Sequence, residues 1–194
     1  TNSGAPPKLP WRDPTTHYIL TGSPEWRTAT KAERRAVIEA FATNRKLTTV
    51  CMSDSAIDDD LARSWASVLA QPTCLISSLT LESNPISSSG IEAIASALAS
   101  NSSLTDLRLR NLHGKVSKHA EESLGEALEH HTKLTKLYVD LRSFKAQDLM
   151  TRYLTRNEMA RRAAMGWGNN EKLSKQPTAG GLWDPAWKPP AQRA

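Results

Sequence analysis

Five histidines, two cysteines, a run of three aspartates, a Gly-x-Gly and a concentration of arginines are the groups in this 194-residue chain that could do chemistry. His17, His113, His119, His130 and His131 do not fall at zinc-ligand spacing with one another or with Cys51 and Cys74, so no metal site is expected. Asp58-Asp59-Asp60 opens a helical stretch, where carboxylates cap free amides and meet the positive end of the macrodipole. Gly166-x-Gly168 follows a helical segment rather than a strand, the wrong setting for a dinucleotide loop. No nucleophile–base pair and no paired acids can be named, so neither an enzyme nor a cofactor is expected. The histidine pair 130–131 is read as complementing the negative end of a helix.

The charge is unevenly placed. Residues 1–141 carry 15 Lys and Arg against 16 Asp and Glu, whereas 142–194 carry 10 against 4, so any basic partner surface is C-terminal. No stretch approaches the ~18 uninterrupted apolar residues of a spanning helix, and the first residues lack a signal-peptide core. The expected setting is therefore an intracellular, soluble compartment, with no choice between cytoplasm, cytoskeleton and mitochondrion. Thr1 follows either removal of Met or cleavage of a targeting segment. Cys51 and Cys74 occupy non-equivalent repeat positions, which predicts free thiols.

The elements that must position these groups are written in a repeat. Leu47-x-x-Val50-x-Met52, Ile76-x-x-Leu79-x-Leu81-x-x-Asn84-x-Ile86, Leu104-x-x-Leu107-x-Leu109 and Leu134-x-x-Leu137-x-Val139 start 29, 28 and 30 residues apart. This spacing gives each unit a strand and a full helix and predicts an α/β leucine-rich repeat solenoid of the ribonuclease-inhibitor-like kind, with about four units, capping helices and two extended arms. Thr30-x-x-Glu33 and Ser89-x-x-Glu92 read as capping boxes opening helices, and Pro72 ends the helix begun near Asp58. Further helices are expected over 117–131 and from about Phe144 to Met165. The Asn84 amide is assigned to backbone groups of the turn leaving its strand, while Asn111 stands one place early and predicts an irregular turn. The boundaries are an arm over 1–30, the repeat domain with its basic last helix over 31–165, and an arm over 166–194.

Residues between the leucines face the concave side of the sheet. The first two rows there are small and mostly neutral; the last two present Arg108, Arg110, Lys136 and Tyr138, a group suited to protein recognition. The stretch LESNPISSSGIEAIASALASNSSLTDLRLRN, residues 81–111, resembles the leucine-rich domain of the tropomodulin and leiomodin family. The similarity continues through Leu124-x-x-Ala127-Leu128-Glu129, Thr132-Lys133-Leu134-x-Lys136-Leu137 and Arg156-Asn157-x-x-x-Arg161-Arg162, covering roughly residues 31–163. That resemblance implies binding at the slow-growing end of actin filaments. By position it assigns contacts to Asn84, Ser87 and Ser88 in one loop, to His113, Lys115 and Lys118 in the next, and to Arg152, Arg156, Arg161 and Arg162 in the last helix.

Five of six tryptophans, Trp11, Trp26, Trp167, Trp183 and Trp187, lie outside the repeats in Pro-containing segments, which make low-entropy extended anchors. The residues by themselves point to a non-catalytic scaffold or protein-interaction subunit of a larger assembly, docked through those tryptophans and through Arg152, Arg156, Arg161 and Arg162. Two alternatives stand beside it. One is a tropomodulin-like protein binding the pointed end of actin filaments. The other is an RNA-associated subunit of a ribonucleoprotein, gripping phosphates with the basic helix.

Overall fold

The computed structural model describes residues 16–21 and 23–166. The described residues up to Ala160 form one compact unit, and Arg161–Gly166, the end of the last helix and the turn after it, belong to a second. The element order is β1 (His17–Ile19), α1 (Pro24–Thr28), α2 (Lys31–Ala40), β2 (Thr49–Cys51), α3 (Asp59–Leu69), β3 (Ser78–Thr80), α4 (Ser88–Leu98), β4 (Asp106–Leu109), α5 (Lys118–Ala127), β5 (Lys136–Val139) and α6 (Phe144–Ala164). The strands form one parallel sheet in chain order, with Tyr18, Val50, Leu79, Leu107 and Leu137 in register across it. This is the leucine-rich repeat fold, the motif leucines stacking into one core between sheet and helices.

The core changes character along the sheet. At its first end Tyr18 meets Phe41 edge-on at 5.2 Å between ring centroids, and Phe41 stacks on Trp65 at 5.5 Å. From β3 onward the buried apolar side chains are chiefly aliphatic, with Leu79, Leu81, Leu107, Leu124, Leu128 and Leu134 closed to solvent. Helix starts are capped partly from outside. Asp58 accepts from the Leu61 amide of its own helix. Asp59 accepts instead from the Ser87 and Gly90 amides that open α4, at 2.7 and 3.2 Å. The buried Glu121 takes the same part for α6, accepting from the Arg142 and Ser143 amides at 2.7 Å each. A carboxylate on one helix thus seals the positive end of the next.

Three expectations change. Residues 16–21 and 23–30 are not an extended arm: β1 adds a fifth strand ahead of the four motif strands, and α1 follows it. Tyr18-x-Leu20 occupies the place of Val50-x-Met52, a degenerate repeat whose first leucine position lies among residues outside the description. The Thr30–Glu33 capping box forms as read, but the one at Ser89 and Glu92 does not. Ser87 is the cap residue there, so Ser89 already lies inside the helix and Asp59 satisfies the amides instead. Finally, α5 stops at Ala127, and His131 is buried rather than set against a helix end.

Candidate functional site

On the open face of the sheet Arg108 and Tyr138 are direct partners in the β4–β5 register. The Arg108 guanidinium lies 5.0 Å from the Tyr138 ring centroid and that of Arg110 lies 5.5 Å from it. One ring thus holds two cations through its quadrupole. Arg108 also pairs with Asp106 at 3.2 Å, which raises its already high pKa through the hydrogen bond and the adjacent charge. Lys136 is exposed beside Asp106 in register. Of the group read from the sequence, Arg108, Arg110 and Tyr138 therefore meet at one ring, with the Asp106 and Glu82 carboxylates acting on Arg108. Toward the other end of the face Cys51 pairs in register with Ile19 and Thr80, and both thiols are free. Burial pushes the Cys51 thiol up, but hydrogen bonding with Thr21 and Ser53 outweighs it and leaves the thiol below its ordinary value.

The strand-to-helix loops form a second surface. Asn84 does not belong to it: the residue is 0 % exposed. Its amide oxygen accepts from the Ser55 and Ile57 amides at 3.0 Å each, and its nitrogen donates to the Met52, Leu81 and Glu82 carbonyls at 2.8–3.1 Å. Every lone pair and proton is used in stitching two loops, so Asn84 has nothing left for a partner. Ser87 and Ser88 are likewise engaged, Ser87 with Asp59 and Ser88 with the Lys115 carbonyl. His113, Lys115 and Lys118 are exposed. The irregular turn at Asn111 is present, with φ of 54°, its amide donating to Asp140.

The last helix divides its arginines. Arg152 is exposed and pairs with Asp148 one turn away at 2.7 Å. Arg156 is a structural cap: it donates to the Leu128 and Glu129 carbonyls at 2.9 Å each and stacks on Tyr153 at 4.9 Å. Its neighbour Asn157 donates to the His131 and Leu134 carbonyls. The orphan carbonyls ending α5 thus hold one side of an exposed guanidinium that the sequence reading assigned to a partner. Arg161 and Arg162 lie in the last turn of α6, where Arg161 reaches the Met165 sulfur at 3.3 Å.

His131 is likewise a structural residue. Its Nδ1 accepts from the Leu134 amide at 3.1 Å, and burial holds its pKa below the ordinary value. Sequence reasoning also misplaces Trp26, which is 1 % exposed and donates from its indole to the Ser55 carbonyl at 2.6 Å. It is a core residue of the first unit rather than an anchor on an arm. The signal was available: Tyr18-x-Leu20 followed by a Trp repeats the strand-then-helix pattern. Trp11, Trp167, Trp183 and Trp187 lie outside the described residues. Sequence reasoning passes over Arg34, whose guanidinium sits 5.5 Å over Trp26 and donates to the Trp26 and Arg27 carbonyls. Among the described residues no group of three or more His, Cys, Asp or Glu could hold a metal, and no helix is long and apolar enough to cross a membrane.

Comparison with known proteins places this arrangement. The family model described as the TMOD/LMOD leucine-rich domain matches residues 27–159. Leiomodin-3 of Mus musculus is 30 % identical over 121 residues, which is 62 % of this chain and 21 % of that protein. The chain therefore spans about a fifth of the length of the curated relatives it matches. A solved structure titled leiomodin-1 actin-binding site 2 superposes with a TM-score of 0.71 at 27 % identity, covering 79 % of this chain and 87 % of that one. The C-terminal domain of a Caenorhabditis elegans tropomodulin shares the fold, with a TM-score of 0.65 at 20 % identity over 73 % of this chain and 84 % of its own.

Proposed function

The chain belongs to the tropomodulin/leiomodin leucine-rich-domain family, and from that premise we propose that it is a non-catalytic actin-binding module. The observation that carries the reading is the likeness over 79 % of the chain to a domain whose title assigns it to actin binding in leiomodin-1. It favours actin over the scaffold role in an unspecified assembly and over an RNA-associated role, which rest only on the placement of tryptophans and arginines in the sequence.

The proposed contact residues are exposed side chains other than Arg156, which is also exposed but spends its guanidinium on the carbonyls ending α5. They are His113, Lys115 and Lys118 at the loop edge, Arg152 on α6, and Arg161 and Arg162 in its final turn. The loop edge and α6 within the first compact unit can hold His113, Lys115, Lys118 and Arg152 at fixed separations along a filament subunit, and such charged heads suit recognition more than affinity. No reaction is assigned. The arms with Trp11, Trp167, Trp183 and Trp187 remain proposed anchors for further protein contacts, and the three-part division into arm, repeat domain and arm remains a proposal with its first boundary moved forward.

Co-sedimentation with actin filaments tests the reading, followed by elongation assays at the slow-growing end. Saturable pelleting that weakens in Lys115→Glu/Lys118→Glu is expected. A folded protein that stays in the supernatant at every filament concentration, and leaves elongation unchanged at both ends, would overturn it.

A further inference from the structure

Beside the loop edge the first four units line an open pocket of about 310 Å³, at the small end of the range for ligand sites. Its accessible apolar lining comes from Ala56 and Pro85, with the buried Trp26 beneath them, and Ala56 holds a left-handed backbone with φ of 49°. That conformation is uncommon for a residue with a Cβ and no side-chain hydrogen bond to stabilise it. Around the lining stand Arg27, Arg34 and His113 against one carboxylate, Asp54. The Arg27–Asp54 pair is loose, 4.0 Å apart with both side chains about two thirds exposed. Arg34 is held by two carbonyls, which orient the guanidinium without neutralising it.

We propose that this pocket receives an acidic segment of a protein partner: a carboxylate beside one apolar side chain. The cation excess selects the sign of the guest. The hydrophobic lining selects an apolar neighbour over a bare anion, and Arg27 at the rim can form a two-pronged contact with a carboxylate once Asp54 gives way. The inference rests on the loop edge being a contact surface, and it adds the chemistry that the surface recognises.

The test is an NMR titration of the full chain with acetyl-Glu-Leu-Asp-amide, following the Trp26 indole and the Ser83 and His113 amides, with filament pelleting run on the same variants. Saturable shifts at roughly millimolar peptide are expected, the strength suited to one short segment. Arg27→Glu should weaken them at least tenfold, and a control at the exposed Arg45, Arg45→Glu, should leave them unchanged. The proposal falls if no saturable shift is seen, if acetyl-Lys-Leu-Lys-amide or acetate shifts the same resonances equally, or if Arg27→Glu binds as well as the parent. Peptide binding with neither pelleting nor any change in filament elongation retains the pocket and removes the actin reading. Pelleting without peptide binding does the reverse.

Discussion

The seam between the second and third strands is closed from inside the repeat, by one buried Asn84 that serves five backbone groups. The far end is closed from outside the repeat, where Arg156 and Asn157 reach back from α6 to the carbonyls at the end of α5 and the turn after it. The two regions solve one problem: loops stacked face to face leave amides and carbonyls that water cannot reach. In the middle of a solenoid the next repeat supplies the partner. Beyond β5 the described residues carry no further repeat, and there a helix of different character, α6, supplies the partners. The apolar filling differs in parallel, aromatic near the first strands and aliphatic near the last.

Removing the amide should break the first seam. Asn84→Leu keeps the volume but strands five buried backbone groups, and a loss of about 4 kcal/mol is expected in urea unfolding, at the large end for a single change. Preservation of the unfolding midpoint would mean that water replaces the amide. Gly114 tests how tightly adjacent loops stack, since an added Cβ would lie 2.2 Å from the Ile86 carbonyl oxygen. Gly114→Ala should therefore cost about 2–3 kcal/mol in the same measurement.

The far seam should depend on one arginine of α6 and hardly at all on the next. Arg156→Ala is expected to lower stability by about 1.5 kcal/mol, because two charge-assisted bonds to carbonyls disappear. Arg152→Ala should stay within about 0.5 kcal/mol, its partner being an exposed aspartate. Equal effects in thermal melts would erase the distinction drawn between these two residues.

The smallest effect expected is a pH dependence at the same end. Burial depresses the folded-state pKa of His131, so the unfolded chain binds its proton more readily. The contribution of His131 should be complete above its unfolded value of about 6.5. It should then be lost as the pH falls through the lower folded value. His131→Asn can still accept from the Leu134 amide, as Asn101 accepts from that of Leu104 at 2.8 Å, and should flatten that acid-side decline. Comparing urea midpoints between pH 8 and 5 for the two proteins checks this.

How much was legible follows the same division. Leucines repeating 28 to 30 residues apart carry the strands, their register and the core, because each motif position recurs and a period can be counted. Asn84 could be given its structural role for the same reason. Carried over from a family resemblance it also became a contact residue, and only its burial separates the two. Trp26 was hidden by the lack of a full motif around β1, and Arg156 by lying in a helix that reads simply as basic. The surface group Arg108, Arg110, Lys136 and Tyr138 was readable from strand alternation, since side chains on alternate residues must share a face.

By itself, then, the sequence determined the repeat, the parallel sheet, the inward leucines and the rows of side chains on the open face, all consequences of local periodicity. The tertiary structure decided which polar groups are spent within the molecule: Asp59 on α4, Glu121 on α6, Arg156 on the end of α5, Trp26 on Ser55. These partners lie 21 to 29 residues apart and recur at no common repeat position. No local pattern announces such pairs; they exist because stacking brings unsatisfied backbone groups of one unit within reach of a side chain from another.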